Sequence, residues 1–396
     1  MVGIRPLEIG DETRAAHNLF RASLHRAPMS EDQWEYSGKS FEPGRTLGAF
    51  DGEKLVGTAL AWSSDLVVPG GAALPAAAVT RVGVRADFRR RGVLTALMRE
   101  QVDDFARRGE VFAALHASEP VIYGRFGYGV GTRSARVSAE NARLRPEVPR
   151  GGSVRVIEPG EELLPEVYRR AGRTRAGSIA RPGYLWANYD RAWGIKENIV
   201  TAVHTGDDGD DGFVTWRPGE PPDWGAPVPA DIEDFVAATP AVAFALWEFV
   251  LGLDLLGRVK AWQRPVDEPL QAAVVDARTV TVHAVEDDLW VRVVDVPAAL
   301  AARSYRDGEP AVVEVVDAFR PANSGNYRIT PDGAERCDAE AGVSLDVDAL
   351  AAPYLAAWSW SAVAAAGRVR VADPAALPAI DELFRVDAAP YTGTPF

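Results

Sequence analysis

Three arginines and a glycine stand together at Arg89, Arg90, Arg91 and Gly92, inside the run RVGVRADFRRRGVLT from Arg81 to Thr95. The run reads as a valine-rich strand, a turn and the start of a helix. A helix start exposes unpaired N–H groups and carries partial positive charge, which suits it to phosphate. Gly92 lets a pyrophosphate approach the backbone with no side chain in the way, and Arg90 and Arg91 bring local positive charge. Neither GxGxxG nor GxxxxGK[ST] is present here. The same residues also read as an arginine-rich helix start with no ligand, and their spacing alone does not separate the two.

The elements that must hold this turn are legible on both sides. Upstream, Arg45 to Phe50, the turn Asp51-Gly52, and Leu55 to Trp62 read as a hairpin. AAAVTRVGV, Ala76 to Val84, is a strand. Leu94, Leu97, Met98, Val102 and Phe105 recur at helical spacing, and Gly109 ends that helix. VFAALHA, Val111 to Ala117, is a buried strand, followed by a short helix around Glu119 to Tyr123 and the glycine-punctuated GRFGYGVG. Arg143 to Gly152 holds two prolines, three arginines and two glycines, a domain boundary. Helices follow near Glu161 to Arg175 and Tyr184 to Trp193. The intervening RAGRTRAG has no strand before it, so it is not a second phosphate loop. DDGDDG, Asp207 to Gly212, is a solvated turn, too short a ligand array for calcium. Thr239-Pro240 opens an apolar helix through Leu256. From Asp288 the chain reads as a strand, a proline start and a helix in LWVRVVDVPAALAARSY, then paired strands in AVVEVVDAF and GNYRIT. An alanine-rich helical region, Asp348 to Ala366, precedes the ending AAPYTGTPF. Three domains are expected: 1–150, 151–285 and 286–396.

The 396 residues are 47% hydrophobic and 25% charged, which excludes a mostly disordered or collagen-like chain and suits two to four domains. The net charge of −13 argues against general nucleic-acid binding and suits attraction of cationic substrates. Cys337 is the single cysteine, which rules out an internal disulfide framework and a cysteine-based zinc site; the five histidines offer no pair at metal-ligand spacing. No metal is expected. MVGIRPLEIGDE lacks the apolar core of a signal peptide. The most apolar helical stretch, Ala241 to Leu256, is interrupted by Glu248 and Asp254 and reads as a buried helix, not a membrane span. A soluble cytoplasmic protein is expected.

The strand–RRRG–helix segment resembles the GNAT family of acetyl-CoA-dependent N-acetyltransferases. In that family an R-x-x-G-x-[GA] turn binds the pyrophosphate, and a splayed strand pairs with the pantetheine arm. Arg89 to Leu94 occupy the turn here, with Leu94 where many relatives have a small residue. LHASEPVIYGRFGYG, Leu115 to Gly129, taken with RRRGVLTALM, closely resembles the Eis (enhanced intracellular survival) acetyltransferases. LWVRVVDVPAALAARSY, TPAVAFALWEFVLGLD and the terminal phenylalanine are similar too, so the likeness covers nearly the whole chain, more loosely in the middle and last domains. It implies an α+β or α/β architecture of tandem GNAT folds, each a mixed sheet flanked by helices, plus a C-terminal α+β domain like sterol carrier proteins. The first would be catalytic, the second would lack the cofactor motif, and the third would complete the active site with its C-terminus. Acetyl-CoA is the implied co-substrate, held by Val82, Gly83 and Val84, by Arg90, Arg91, Gly92, Val93, Leu94 and Thr95, and by Ser118 and Glu119. Tyr123 is the implied general acid and the carboxylate of Phe396 the implied general base. The implied acceptor is an amine of a bulky cationic molecule, aminoglycosides being the family's class, and the implied assembly is a homo-oligomer, a hexamer.

Acetyl transfer needs a neutral amine, aligned reactants, a stabilised oxyanion and a protonated leaving thiolate. A tyrosine hydroxyl, pKa about 10, is a competent donor. Tyr123 also reads as an aromatic packed between the first helix and the sheet; Tyr128 is read as core or pocket wall. A terminal carboxylate, ordinarily about 3.3–3.7, is a weak base that burial strengthens. It either takes the proton, acts through water or holds the cationic amine. A last residue ordinarily frays, but Tyr391, Pro395 and Phe396 are apolar and have reason to dock. His116 lines the pocket, serves as an alternative base, or is a satisfied strand histidine. The family implies an oxyanion donor among the backbone N–H groups of Val82 to Val84. Trp34 and Tyr36 offer an apolar substrate wall, and Glu31, Asp32 and Glu35 an attraction for polyamines, unless all five form an ordinary amphipathic surface. Two departures touch the substrate side: TGTPF lacks the acidic residues of relatives, and Tyr354-Leu355-Ala356-Ala357 replaces a Tyr-Leu-Gly-Gly run. Three readings stand: an acetyltransferase of aminoglycoside-like amines, a protein lysine acetyltransferase, and a lipid- or protein-binding module built on the C-terminal domain.

Overall fold

Alanine and valine recur in the segment before the arginine turn and in the one after the helix that follows it, and both segments are strands, as small and β-branched side chains favour on a buried pleated surface. The computed structural model describes residues 2–158, 162–195 and 198–396, with backbone alone for 190–195. The first stretch of chain gives β1 (Gly3–Pro6), α1 (Asp11–Ser23), α2 (Glu31–Ser37), β2 (Thr46–Asp51), β3 (Lys54–Val67), β4 (Ala73–Val84), α3 (Val93–Arg107), β5 (Phe112–His116) and β6 (Tyr128–Val130). The second gives β7 (Arg133–Ala139), β8 (Ser153–Val156), α4 (Leu164–Ala171), α5 (Gly183–Ile195), β9 (Val200–Gly206), β10 (Gly209–Pro218), β11 (Val228–Ala237), α6 (Pro240–Leu251), β12 (Leu256–Pro265), α7 (Leu270–Ala273) and β13 (Val280–Asp287). The last gives β14 (Leu289–Val293), α8 (Val296–Ala302), β15 (Ala311–Val316), β16 (Gly325–Thr330), β17 (Gly333–Cys337), β18 (Val343–Asp346), α9 (Val347–Leu355), α10 (Trp360–Ala365), β19 (Val369–Val371) and α11 (Ala376–Leu383). Glu161, where a helix was expected to begin, lies outside the described residues.

The described residues form three sheets. The first runs β1-β2-β3-β4-β5-β14-β6, the second β13-β7-β12-β11-β10-β9-β8, and the third β17-β16-β15-β18-β19. Each of the first two holds one parallel pair, β4 with β5 and β11 with β12, among antiparallel neighbours. Each pair is joined by a helix, α3 or α6, as a parallel crossover requires. Sheet membership changes at Val130/Arg133 and again at Asp287/Leu289, whereas composition breaks at Arg143 to Gly152. The strand LWVRV leaves its sequence neighbours and enters the first sheet between β5 and β6. Pairing of backbone groups, not local composition, decides where a strand belongs.

Three helix expectations change in detail. Glu119 to Tyr123 gives two 3₁₀ turns, Pro120–Ile122 and Gly124–Phe126, because a proline and closely spaced glycines leave no room for a full α-turn. The apolar helix stops at Leu251, not Leu256: Gly252 caps it, and Leu255 turns left-handed, φ +63°. Asp348 to Ala366 splits into α9 and α10 at Ala356, a non-glycine residue at φ +68°.

One apolar core joins all three units, taking Phe112 from the first, Tyr168 and Phe213 from the second and Tyr354 from the third. Phe112 of β5 meets Tyr354 of α9 ring to ring at 5.5 Å, and the Tyr354 hydroxyl donates to the Ala299 carbonyl at 2.7 Å. The second unit also has its own core around Val214, Ile232, Leu246 and Trp247. Segment 177–180 pairs with the end of β3: Gly177 N–H donates to Val67 O at 2.8 Å, Val67 N–H to Ser178 O at 2.9 Å, and Ala180 N–H to Asp65 O at 2.9 Å. Among the described residues no helix is long and apolar enough to cross a membrane.

Candidate active site

The parallel pairing of β4 with β5 covers only Ala76/Phe112, Ala77/Ala113 and Ala78/Ala114. Beyond it β4 runs on to Val84 while β5 ends at His116, so the strands part and leave an open edge along Val79 to Val84. On its other side β4 keeps pairing with β3, but with a bulge: Leu60 faces Thr80 and Thr58 faces Gly83, so Arg81 and Val82 together stand opposite the single residue Ala59. Arg81 sits at φ +52°, buried. It donates to Ser40 Oγ at 2.6 Å and Asn188 Oδ1 at 3.3 Å, and stacks over Phe41 at 4.4 Å. These contacts hold Arg81 at the bulge, and the sequence reading gave it no role. Gly83 is the tight point: a Cβ there would meet Ser23 Oγ at 2.8 Å and Phe20 Cα at 3.0 Å.

At the end of that edge the turn takes the conformation phosphate needs. Arg90 has φ +60° and Gly92 φ +81°. Gly92 is the N-cap of α3 and no side chain caps the helix, so the N–H groups of Val93, Leu94 and Thr95 face outward from its first turn. Arg89, Arg90, Arg91 and Gly92 are exposed, with Arg91 stacked over Phe88 at 4.9 Å. Val93, Leu97 and Met98 are buried beneath and hold the helix start in place. The structure therefore brings Val82, Gly83, Val84 and Arg90 to Thr95 to one end of one gap. The residues present fit a thioester cofactor carrying a pyrophosphate: open strand edge, uncapped helix start, free arginines.

Ser118 and Glu119 follow β5 on the other side of the gap and are exposed. Tyr123 is buried, in one cluster with Ala61, Ala77, Val79, Met98 and Leu115, and Val82 and Leu94 pack against the same cluster. Its ring meets Tyr128 edge-on at 5.9 Å. Burial first, and the nearby Glu119 charge second, push the Tyr123 hydroxyl up to about 12. Tyr128 is fully buried, in the core.

Alternation along β5 sends Ala113 and Leu115 to the face of Tyr123, and Phe112 and Ala114 to the opposite face. Phe396 packs on that opposite face. Its ring meets His116 edge-on at 4.8 Å. His116 Nε2–H donates to the Thr394 carbonyl at 3.0 Å, and its Nδ1 faces Asp288 Oδ1 at 3.4 Å. Asp288, buried, also accepts from Gln263 Nε2 at 2.8 Å and Thr132 Oγ1 at 3.1 Å. The Tyr189 hydroxyl donates to the Pro395 carbonyl at 3.0 Å. The last residue is docked, and Tyr123 and Phe396 lie on opposite faces of the β5 region.

The remaining candidates disperse. Trp34 packs on Phe41 at 5.5 Å, Tyr36 is exposed, and Glu31 pairs with Arg14 at 2.5 Å; Asp32 and Glu35 are exposed. Among the described residues no group of three His, Cys, Asp or Glu side chains is placed to hold a metal ion.

Comparison with known proteins agrees with this geometry. A family model described as an acetyltransferase (GNAT) domain matches residues 3–131, a second acetyltransferase (GNAT) domain model matches 177–293, and a sterol carrier protein domain model matches 296–393. The chain is 39% identical over 406 residues to an uncharacterized N-acetyltransferase of Streptomyces avermitilis, covering 98% of each. It is 35% identical over 367 residues to the N-acetyltransferase Eis of Mycobacterium tuberculosis, covering 88% of each. The crystal structure of Eis1 from Mycobacterium abscessus superposes with a TM-score of 0.91 at 36% identity, over the full length of both chains.

Proposed function

This chain belongs to the Eis family of GNAT N-acetyltransferases, and from that premise we propose that it moves acetyl from acetyl-CoA to amines of a bulky cationic, aminoglycoside-like acceptor, with Tyr123 as general acid and the Phe396 carboxylate as general base. The observation that carries the assignment of the base is the docking of the chain's last residue against His116, at the end of the strand that bounds the cofactor gap.

Acetyl-CoA supplies the activated acyl group. The first turn of α3 with Arg90 and Arg91 binds the pyrophosphate, and the open edge Val82 to Val84 orients the arm and offers N–H groups to the developing oxyanion. Ser118 and Glu119 border the arm opposite. Tyr123 keeps its proton at any working pH, because burial has raised it. The same shift lowers its driving force toward a thiolate whose conjugate acid lies near 8.5, so transfer occurs as the bond to sulfur breaks and not before. Phe396, across β5, holds the ammonium and takes its proton directly or through water. A chain with net charge −13 draws a polycation toward this site. The family reading carries with it a hexameric, cytoplasmic enzyme.

The lipid-binding alternative would need a cavity inside the third unit, where Tyr327, Tyr354 and Trp360 are fully buried; an apolar pocket of about 420 Å³ lies instead between Trp358 and Val363 of that unit and Tyr128 of the first. Thiol release from acetyl-CoA, measured across aminoglycosides, small polyamines and lysine peptides, tests the acceptor class. Highest kcat/KM with an aminoglycoside is expected; highest turnover with a lysine peptide would instead assign a protein lysine acetyltransferase.

A further inference from the structure

The second unit repeats the crossover of the first. β11 and β12 pair in parallel from Val228/Leu256 to Ile232/Ala261 and then part, β11 running on to Ala237 and β12 to Pro265. The gap so opened is filled from within the chain. Tyr391, Thr392 and Gly393 share it with Phe235 of β11 and Arg264 of β12, leaving a cavity of about 110 Å³. The Tyr391 hydroxyl donates to the Gln263 carbonyl of β12 at 2.6 Å, and its N–H to Ala176 O at 2.8 Å.

Arg181 is the centre of these contacts. It is fully buried and donates to both oxygens of Asp234 on β11, at 2.5 and 3.1 Å. Two further donors go to the tail, Nε to Thr394 Oγ1 at 3.0 Å and Nη2 to the Gly393 carbonyl at 2.8 Å. The guanidinium lies 4.0 Å over Tyr168 and 4.8 Å over Tyr189, and these two hydroxyls reach the tail as well: Tyr168 to Thr394 Oγ1 at 2.9 Å, Tyr189 to Pro395 O at 3.0 Å. Arg181 itself follows directly on segment 177–180, which is paired to β3 of the first sheet. The carbonyl just past this hold, that of Thr394, is the one His116 takes up.

We propose that the second unit's gap serves as a clamp for the C-terminal tail, and that Arg181 is the positioning residue that sets the Phe396 carboxylate at the first unit's gap. This rests on the reading of that carboxylate as the base. A planar, bidentate guanidinium anchored on a buried carboxylate fixes direction as well as distance, which a flexible ammonium does not. Misplacing a reacting group by about 1 Å costs on the order of 10²-fold in rate.

The test combines kinetics with hydrogen exchange of residues 385–396. Arg181→Lys should lower kcat by about 10²-fold and Thr394→Val and Tyr189→Phe by about tenfold each. In all three the KM for acetyl-CoA should stay unchanged and exchange in the tail should quicken. Thr394→Ser, which keeps the hydroxyl, should restore both rate and protection. Should Arg181→Lys fail to fold, the Thr394 and Tyr189 variants carry the test. Wild-type kcat in these variants overturns the clamp, whether or not tail exchange changes. A semisynthetic enzyme with a C-terminal amide separates the two claims. Full activity of the amide sinks the terminal base. An inactive amide beside fully active Thr394→Val and Tyr189→Phe sinks the clamp alone.

Discussion

The first two units share a parallel strand pair that parts around a crossing helix, and they differ in how that helix begins. In the first, α3 starts at Gly92, uncapped, behind three exposed arginines. In the second, α6 starts at Thr239, whose Oγ1 accepts from Val242 N–H at 3.3 Å, and its next residue, Pro240, has no N–H to offer. One helix start is left open to an anion and the other closes on itself. The first gap thereby suits a ligand. The second lies against the chain's own C-terminal tail. Capping chemistry distinguishes two helix starts that share one backbone geometry.

The largest expected effect that would break this comparison is at Tyr123, which belongs to the first gap and has no counterpart named in the second. Tyr123→Phe should lower kcat by about 10²–10⁴-fold with little change in acetyl-CoA binding; near wild-type kcat would return Tyr123 to a packing role. Because the hydroxyl is raised to about 12, its acid form persists as pH rises, so no fall in kcat from loss of this proton is expected up to about pH 11. A fall near pH 10 that vanishes in Tyr123→Phe would show an unshifted tyrosine.

Arg91→Ala comes next. A charge-assisted phosphate contact is worth roughly 1.5–3 kcal/mol, so the KM for acetyl-CoA should rise about 10- to 150-fold. Titration calorimetry should find one acetyl-CoA per chain, and two would break the contrast between the helix starts. The smallest effect is a control away from both gaps. Ala356 holds a left-handed conformation, which costs a residue with a Cβ about 1–2 kcal/mol. Ala356→Gly should raise stability by about 1 kcal/mol at unchanged kcat. Unchanged stability would mean the site is relaxed, and altered kcat would tie this helix end to catalysis.

The first gap was legible because its signals are local: valine-rich strand, RRRG and apolar periodicity stand within about thirty residues, and the hairpin at Asp51-Gly52 announces itself. The second gap's use was not. Arg181 is one of several arginines in RAGRTRAGSIARPG, and its partners lie 53 and more than 200 residues away. Nothing in TGTPF marks its threonines for burial, yet Thr392 and Thr394 are buried; the Thr394 hydroxyl and carbonyl meet Arg181, Tyr168 and His116, side chains that no spacing rule connects. The entry of β14 into the first sheet escapes for the same reason, since a strand's neighbours are set by backbone pairing across the fold. Arg81 was passed over because a bulge leaves no mark on alternation until the register of both strands is known.

The central claim is that the chain's own terminus works at the first gap, and adding one glycine after Phe396 tests it most directly. An extended residue moves the carboxylate by about 3.3–3.6 Å, well beyond the ~1 Å that already costs about 10²-fold. We predict kcat lowered at least 10²-fold, acetyl-CoA affinity unchanged, and no effect from an equivalent N-terminal extension. Acetylation of the best amine at the unextended rate would contradict the account and leave the Phe396 carboxylate without a role in proton transfer.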